Sequence, residues 1–156
     1  MIEITIPGFK QLSFQHLVLD YNGTIALDGR LVKGVEQRLK TLSQQMKIHV
    51  LTADTFGTVG RSLSQVPCQV TVIPLENQAE AKGEYLRNLG PEHCVAVGNG
   101  RNDRLMLKEA ALGIAVVLGE GVSPEALFSG DVVCRDILDA LDLLLFPLRL
   151  TATLRS

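Results

Sequence analysis

The sequence predicts a doubly wound α/β fold, a Rossmann-like three-layer sandwich with a mostly parallel sheet between two layers of helices. Three observations point there. Apolar blocks of strand length recur along the chain, they are nearly all apolar, and segments of helical period separate them. A strand that is apolar on both faces has to be covered on both, and helical crossovers between parallel strands do that.

Taken in order, Ile2, Ile4 and Ile6 alternate with polar residues and form a strand with one apolar face. It lies outside the doubly wound core, as an edge strand or a contact with a second copy of the chain. Residues 16–19 form the first core strand, ending at Asp20. The segment 24–34, with Asp28-Gly29 at its tip, reads as a small hairpin. Val35, Leu39, Leu42 and Met46 recur at helical spacing, and residues 47–51 form a strand ending at Thr52. Residues 69–73 and 94–97 read as strands, with a helix between them carrying Ala79, Leu86 and Leu89. Leu105, Leu107 and Ala111 mark the next helix, and residues 113–117 the next strand. Ser123-Pro124 opens a helix, with serine as N-cap and proline at the first position. A short strand at 131–134 precedes a last helix carrying Ile137, Leu138, Leu141, Leu144 and Leu145. The tail 147–156, with Leu148, Leu150 and Leu154, is assigned like the first strand to an edge or a subunit contact.

The chain has 156 residues, 46% hydrophobic and 21% charged, which fits one globular domain over 1–156 with its core at about 14–145. A net charge of -2 gives no basic field for nucleic acid or anionic lipid. The apolar stretch 113–118 is far short of the ~18–20 residues a membrane helix needs. The first residues lack the basic region of a signal peptide, so a cytoplasmic location is expected. Cys68, Cys94 and Cys134 follow no disulfide or metal spacing. His16, His49 and His93 fall in or beside strands and are read as core or surface residues, not ligands.

Ligands of a parallel α/β sheet bind at the carboxyl ends of its strands. Those ends carry Asp20-Tyr21-Asn22-Gly23-Thr24, Thr52-Ala53-Asp54 and Gly98-Asn99-Gly100-Arg101-Asn102-Asp103. Taken alone, Asn22-Gly23 and Asn99-Gly100 are ordinary turn dipeptides. Together, a strand-end carboxylate at Asp20 and the backbone N–H groups of the Gly23-Thr24 turn suit a phosphoryl group, provided a cation offsets the charge. Magnesium held by oxygen ligands meets that need. Thr52 offers a hydroxyl and Lys82 a point charge to the same oxygens, and Asp103 lies four residues after Asn99 at a helix start.

In these residues the chain resembles the haloacid dehalogenase superfamily of phosphohydrolases. The segment from Leu17 to Thr24 resembles its first motif, an apolar strand ending in Asp-x-Asp-Gly-Thr; Thr52 resembles the second motif and Lys82 the third. Gly98 to Asp103 resembles the fourth, Gly-Asp-Gly-x-Asn-Asp. Within the superfamily the likeness is greatest to the phosphorylation domain of P-type ATPases, through Thr52-Ala53-Asp54 and the run from Gly98 to Val117. The resemblance implies an aspartyl-phosphate at Asp20, with Asn22, Thr52 and Lys82 completing the catalytic set. It implies substrate contacts at Gly23, Thr24, Ala53 and Asn102. It also implies Mg2+ on Asp20, the Asn22 backbone carbonyl, Asn99 and Asp103.

Only 27 residues separate Thr24 from Thr52 and 29 separate Thr52 from Lys82, which leaves no room for a cap domain beyond a small flap at 24–34. Two positions depart from the family pattern. Asn22 stands where phosphatases of the family carry an aspartate that protonates the leaving group and activates water, and an amide does neither. Asn99 replaces a metal-binding aspartate with an uncharged oxygen, so the ion is held more weakly. The expected function is therefore Mg2+-dependent phosphoryl transfer from a small phosphorylated molecule to Asp20 with slow turnover. The alternative is a catalytically weak phosphate-binding or regulatory module using the same pocket. A receiver domain is excluded, because Asp20 has no adjacent acid and the strand at 69–73 runs into Pro74.

Overall fold

The computed structural model describes residues 1–54 and 57–156. In chain order the first half holds β1 (Ile2–Ile6), β2 (Lys10–Phe14), β3 (His16–Asp20), β4 (Ala26–Leu27), β5 (Arg30–Leu31), α1 (Val35–Leu42), β6 (Lys47–Thr52), α2 (Thr58–Ser62) and β7 (Cys68–Val72). The second half holds α3 (Gln78–Leu89), β8 (Cys94–Gly98), α4 (Arg104–Glu109), β9 (Leu112–Val116), α5 (Pro124–Ser129), β10 (Val132–Cys134), α6 (Ile137–Leu145) and α7 (Pro147–Leu154).

Six strands form one parallel sheet in the order β10-β9-β8-β3-β6-β7, with β3 paired to β6 on one side and β8 on the other. The order reverses around β3, and that reversal opens a crevice at the carboxyl edge beside Asp20. Both faces are filled, as near-continuous apolar strands require. Leu17 and Leu19 of β3, with Val95 and Val97 of β8, face a core that includes Val35, Leu39 and Leu42 of α1 and Ile137, Leu141 and Leu144 of α6. Val18, Leu51, Cys94 and Ala96 face the other way, against Leu86 of α3 and Met106 and Leu107 of α4. Gly113 is required by the second packing: a Cβ there would lie 2.1 Å from the Leu107 carbonyl oxygen.

Three elements differ from the sequence expectation. β2 has no counterpart in the sequence reading; it pairs antiparallel with β1 in a separate two-stranded sheet outside the six-stranded one, and the apolar face of β1, with Ile2, Ile4 and Ile6, joins the first core. The tail is the helix α7, started by Pro147 at its first turn, and Leu150 is fully buried in that core. The short helix α2 carries one buried side chain, Val59, too little for a visible hydrophobic period. The 24–34 segment is the expected hairpin: β4 and β5 pair across Asp28 and Gly29, both with positive φ, as a two-residue hairpin turn requires. Nothing larger than this flap lies between β3 and α1, so the fold carries no cap there. Among the described residues no helix is long and apolar enough to cross a membrane.

His49 on β6 is buried, and its ring sits between two partners: His16 Nδ1 lies 3.0 Å from its Nε2, and the Tyr85 hydroxyl lies 2.9 Å from its Nδ1. Burial, and then the neighbouring His16 and Lys47, lower His49 to about 4. Between pH 4 and its ordinary value of 6.5, the unfolded chain therefore binds a proton that the folded chain refuses. Stability from this residue is complete above that window and is lost as pH falls through it. We expect about 1–3 kcal/mol of pH-dependent stability to come from it. Thermal unfolding of His49→Gln at pH 7 and pH 4.5 checks this: the variant should lose less stability on acidification than the natural chain. Equal losses would contradict the assignment.

Candidate active site

The carboxyl ends of β3, β6 and β8 and the first turn of α3 enclose a cavity of about 390 Å³ lined by Asp20, Asn22, Thr52, Ala53, Asp54, Gln78, Lys82, Asn99, Gly100, Asn102 and Glu120. Asp20 is the last residue of β3, the central strand, so its carboxylate emerges at the point where the sheet order reverses. Lys82 enters from α3 and is 1% exposed. Its Nζ donates to Asp20 Oδ1 and to Asp103 Oδ1, each at 2.6 Å. Asp103, fully buried, also accepts from the backbone N–H groups of Asn99 and Gly100 through Oδ2, at 3.0 and 2.9 Å. Gly98 makes that loop feasible, since a Cβ there would lie 2.5 Å from Asp103 Cγ.

Two buried carboxylates facing one ammonium leave one negative charge in excess. Burial and then Asp103 raise the Asp20 carboxyl to about 7, against the pull of Lys82 and the Thr24 hydroxyl. Burial alone would lower Lys82, but Asp103 and Asp20 outweigh it and raise the ammonium above its ordinary value.

The Asp20-to-Thr24 turn folds back on itself. The backbone N–H groups of Gly23 and Thr24 donate to the Ala26 and Tyr21 carbonyls at 2.7 and 3.2 Å. They are thus engaged inside the turn, and the sequence expectation that the turn frees them for a ligand does not hold. Gly23 has φ +79°, a left-handed conformation that a glycine adopts without strain. The Thr24 hydroxyl, 3.0 Å from Asp20 Oδ2 and 3.2 Å from Asn99 Oδ1, donates its one proton to either oxygen. Asn99 Nδ2 donates to the Gly121 carbonyl at 3.0 Å. Thr52 Oγ1 accepts from the Asp54 N–H at 3.1 Å, which leaves its own hydroxyl proton to donate elsewhere. Asn22 is exposed at the mouth of the cavity, and Ala53 lines the wall. Asn102 donates through Nδ2 to Gln78 Oε1 at 2.7 Å.

The structure thus gathers Asp20, Asn22, Thr52, Lys82, Asn99 and Asn102 around one cavity and places Asp103 directly behind Lys82. Asp54, named among the strand-end residues, also lines the wall, whereas sequence reasoning missed Gln78 and Glu120. Glu120 carried a usable signal, because it follows the carboxyl end of β9 between two glycines. Among the described residues no three His, Cys, Asp or Glu side chains converge as a metal site.

The sheet order and the cavity at its switch point have the architecture of the haloacid dehalogenase phosphatases without a cap. A magnesium-, phosphate- and sugar-bound 3-deoxy-D-manno-octulosonate 8-phosphate phosphatase from Moraxella catarrhalis superposes with a TM-score of 0.70 at 15% identity, over 90% of this chain and 93% of its own. A soluble P-type ATPase-like phosphatase of Methanocaldococcus jannaschii is 28% identical over 123 residues, covering 77% of this chain and 45% of that protein. The uncharacterized protein MJ0073 of the same organism is 54% identical over 80 residues, which is 49% of this chain and 86% of that protein. The chain belongs to one family with MJ0073. It matches no protein-family model.

Proposed function

We propose that the chain is a Mg2+-dependent phosphohydrolase that transfers a phosphoryl group from a small phosphorylated molecule to Asp20 and hydrolyses the product slowly. The observation that carries this reading is Lys82, buried and shared at 2.6 Å between Asp20 and Asp103 at the floor of an open cavity. A buried charge triad is a weak stabiliser compared with apolar packing, so its presence at a cavity floor argues for chemistry.

The donor set fits a hard cation. Asp20 Oδ2 and Asn99 Oδ1 converge on the single Thr24 hydroxyl, which satisfies one of them at a time, and carboxylates outnumber cations in the cavity wall. Asp20, Asn99 and the Asn22 backbone carbonyl would hold Mg2+; Asp103, expected as a fourth ligand, has its oxygens engaged by Lys82 and by the Asn99 and Gly100 N–H groups and adds charge behind them. When bound, the ion supplies charge neutralisation on the transferring phosphoryl group.

The remaining steps belong to the chain's own residues. Asp20 supplies a carboxylate oxygen that forms the new bond to phosphorus as the bond to the leaving oxygen breaks. Lys82 holds that carboxylate in place and offsets the charge of the incoming phosphate. The Thr52 hydroxyl donates to a phosphoryl oxygen. Asn22 occupies the cavity mouth, and its amide N–H is too weakly acidic to protonate a leaving oxygen there. Departure is therefore unassisted, and the water that later cleaves the aspartyl-phosphate finds no base there.

Hydrolysis of a panel of phosphate monoesters with Mg2+, with Asp20→Asn as control, tests this. Slow release of phosphate that is lost in the control is expected, and equal release from both proteins would contradict it. A second reading has the same exposed Asn22 amide in its favour: a module that holds a phosphate ligand without turning it over. It predicts phosphate binding with no covalent label on Asp20.

A further inference from the structure

Glu120 lies in the tight 118–121 turn after β9, closed by the Gly121 N–H donating to the Leu118 carbonyl at 2.9 Å. Two contacts fix this turn against the site. The Asn99 amide donates to the Gly121 carbonyl at 3.0 Å. Gly119 is pressed against the flap, since a Cβ there would lie 3.0 Å from both δ carbons of Leu27. The Glu120 carboxylate is thereby brought over Gly23. A Cβ on Gly23 would lie 2.2 Å from Glu120 Oε2, 2.5 Å from Asn99 Nδ2 and 2.9 Å from Asn99 Oδ1. Those distances bound Glu120 Oε2 to within about 5 Å of Asn99 Oδ1, the separation of two ligands that reach one hard cation directly or through a water.

We propose that Glu120 supplies to the cation site the negative charge that an amide at position 99 leaves out, and that Asn99 is the residue positioning it. This deepens the cation reading above and rests on it. An aspartate at 99 would be a charged ligand but would have no N–H for the Gly121 carbonyl, so it would release the turn that carries Glu120. The asparagine therefore gives up its own charge and gains a hold on a second carboxylate. Gly23 leaves the space in which the two side chains meet.

The test is titration of the full chain with MgCl2, followed by calorimetry at low ionic strength without phosphate. The natural protein should bind Mg2+ and Asp20→Asn should lose it. Glu120→Gln should weaken binding on the order of tenfold, the Coulomb effect of removing one carboxylate close to a divalent ion in a water-exposed site. Glu120 sits in an exposed turn, so the variant should fold, and its thermal unfolding without Mg2+ should match the natural protein's. Asn99→Asp should tighten Mg2+ more in the Glu120→Gln background than alone, because alone it loosens the turn and crowds like charges. Natural affinity in Glu120→Gln, with Asp20→Asn still defective, would overturn the role of Glu120 and leave the cation site standing. Equal gains from Asn99→Asp in both backgrounds would overturn the positioning role. No Mg2+ binding by the natural protein would remove the cation reading itself and this inference with it.

Discussion

Lys82→Ala is expected to destabilise the protein by about 3–5 kcal/mol and to weaken phosphate or vanadate binding at least tenfold. The residue is 1% exposed and lies at 2.6 Å from two carboxylates. Removing it leaves Asp20 and Asp103 buried with no cation, and burial and the neighbouring Asp103 then drive a proton onto Asp20. Because Asp20 is already raised to about 7, a further rise makes the loss of stability greater at pH 8 than at pH 5. Unfolding at the two pH values reads the first effect, and vanadate titration at the pH where the variant proves folded reads the second. Lys82→Met, which keeps the stem packed, gives a second folded sample. Natural vanadate affinity in either folded variant would remove Lys82 from the phosphate site.

Asn22→Asp is expected to raise hydrolysis of an alkyl phosphate at least tenfold, within the ~10²–10⁴ that general acid–base assistance typically supplies. The position is exposed at the cavity mouth, so an added carboxyl costs little to place. Aryl and acyl phosphates have leaving groups that need no proton, so their first step should gain less. The phosphoenzyme lifetime should shorten for every donor, because the second step gains a base. Single-turnover kinetics of both proteins separates the two steps. Rapid alkyl-phosphate turnover by the natural protein would show that another residue supplies the proton.

Much of the site was legible because its parts sit at one kind of place. Asp20, Thr52 and the Asn99-to-Asp103 loop all follow apolar strands, and in a parallel sheet all strand ends share one edge. Lys82 was placed by its position early in the helix after β7, which starts at that edge. What escaped the sequence depends on contacts made at long range. Lys10–Phe14 alternates weakly and becomes a strand by pairing with β1. Leu148, Leu150 and Leu154 fit a strand or a helix, and docking against β1 selects the helix α7. The His16–His49–Tyr85 chain joins three elements whose residues carry no spacing rule. Glu120 enters the cavity through the hydrogen bond between Asn99 and Gly121, 22 positions apart.

The central claim is that Asp20 is a nucleophile, and mass detection of phosphorylated Asp20 tests it most directly. The protein is mixed with Mg2+ and an acyl or aryl phosphate, quenched in acid within one turnover, and the labelled peptide is sequenced. The account predicts a label confined to Asp20 that accumulates in the natural protein, decays faster in Asn22→Asp and is absent in Asp20→Asn. No label from any donor, or a label that survives Asp20→Asn, would contradict it.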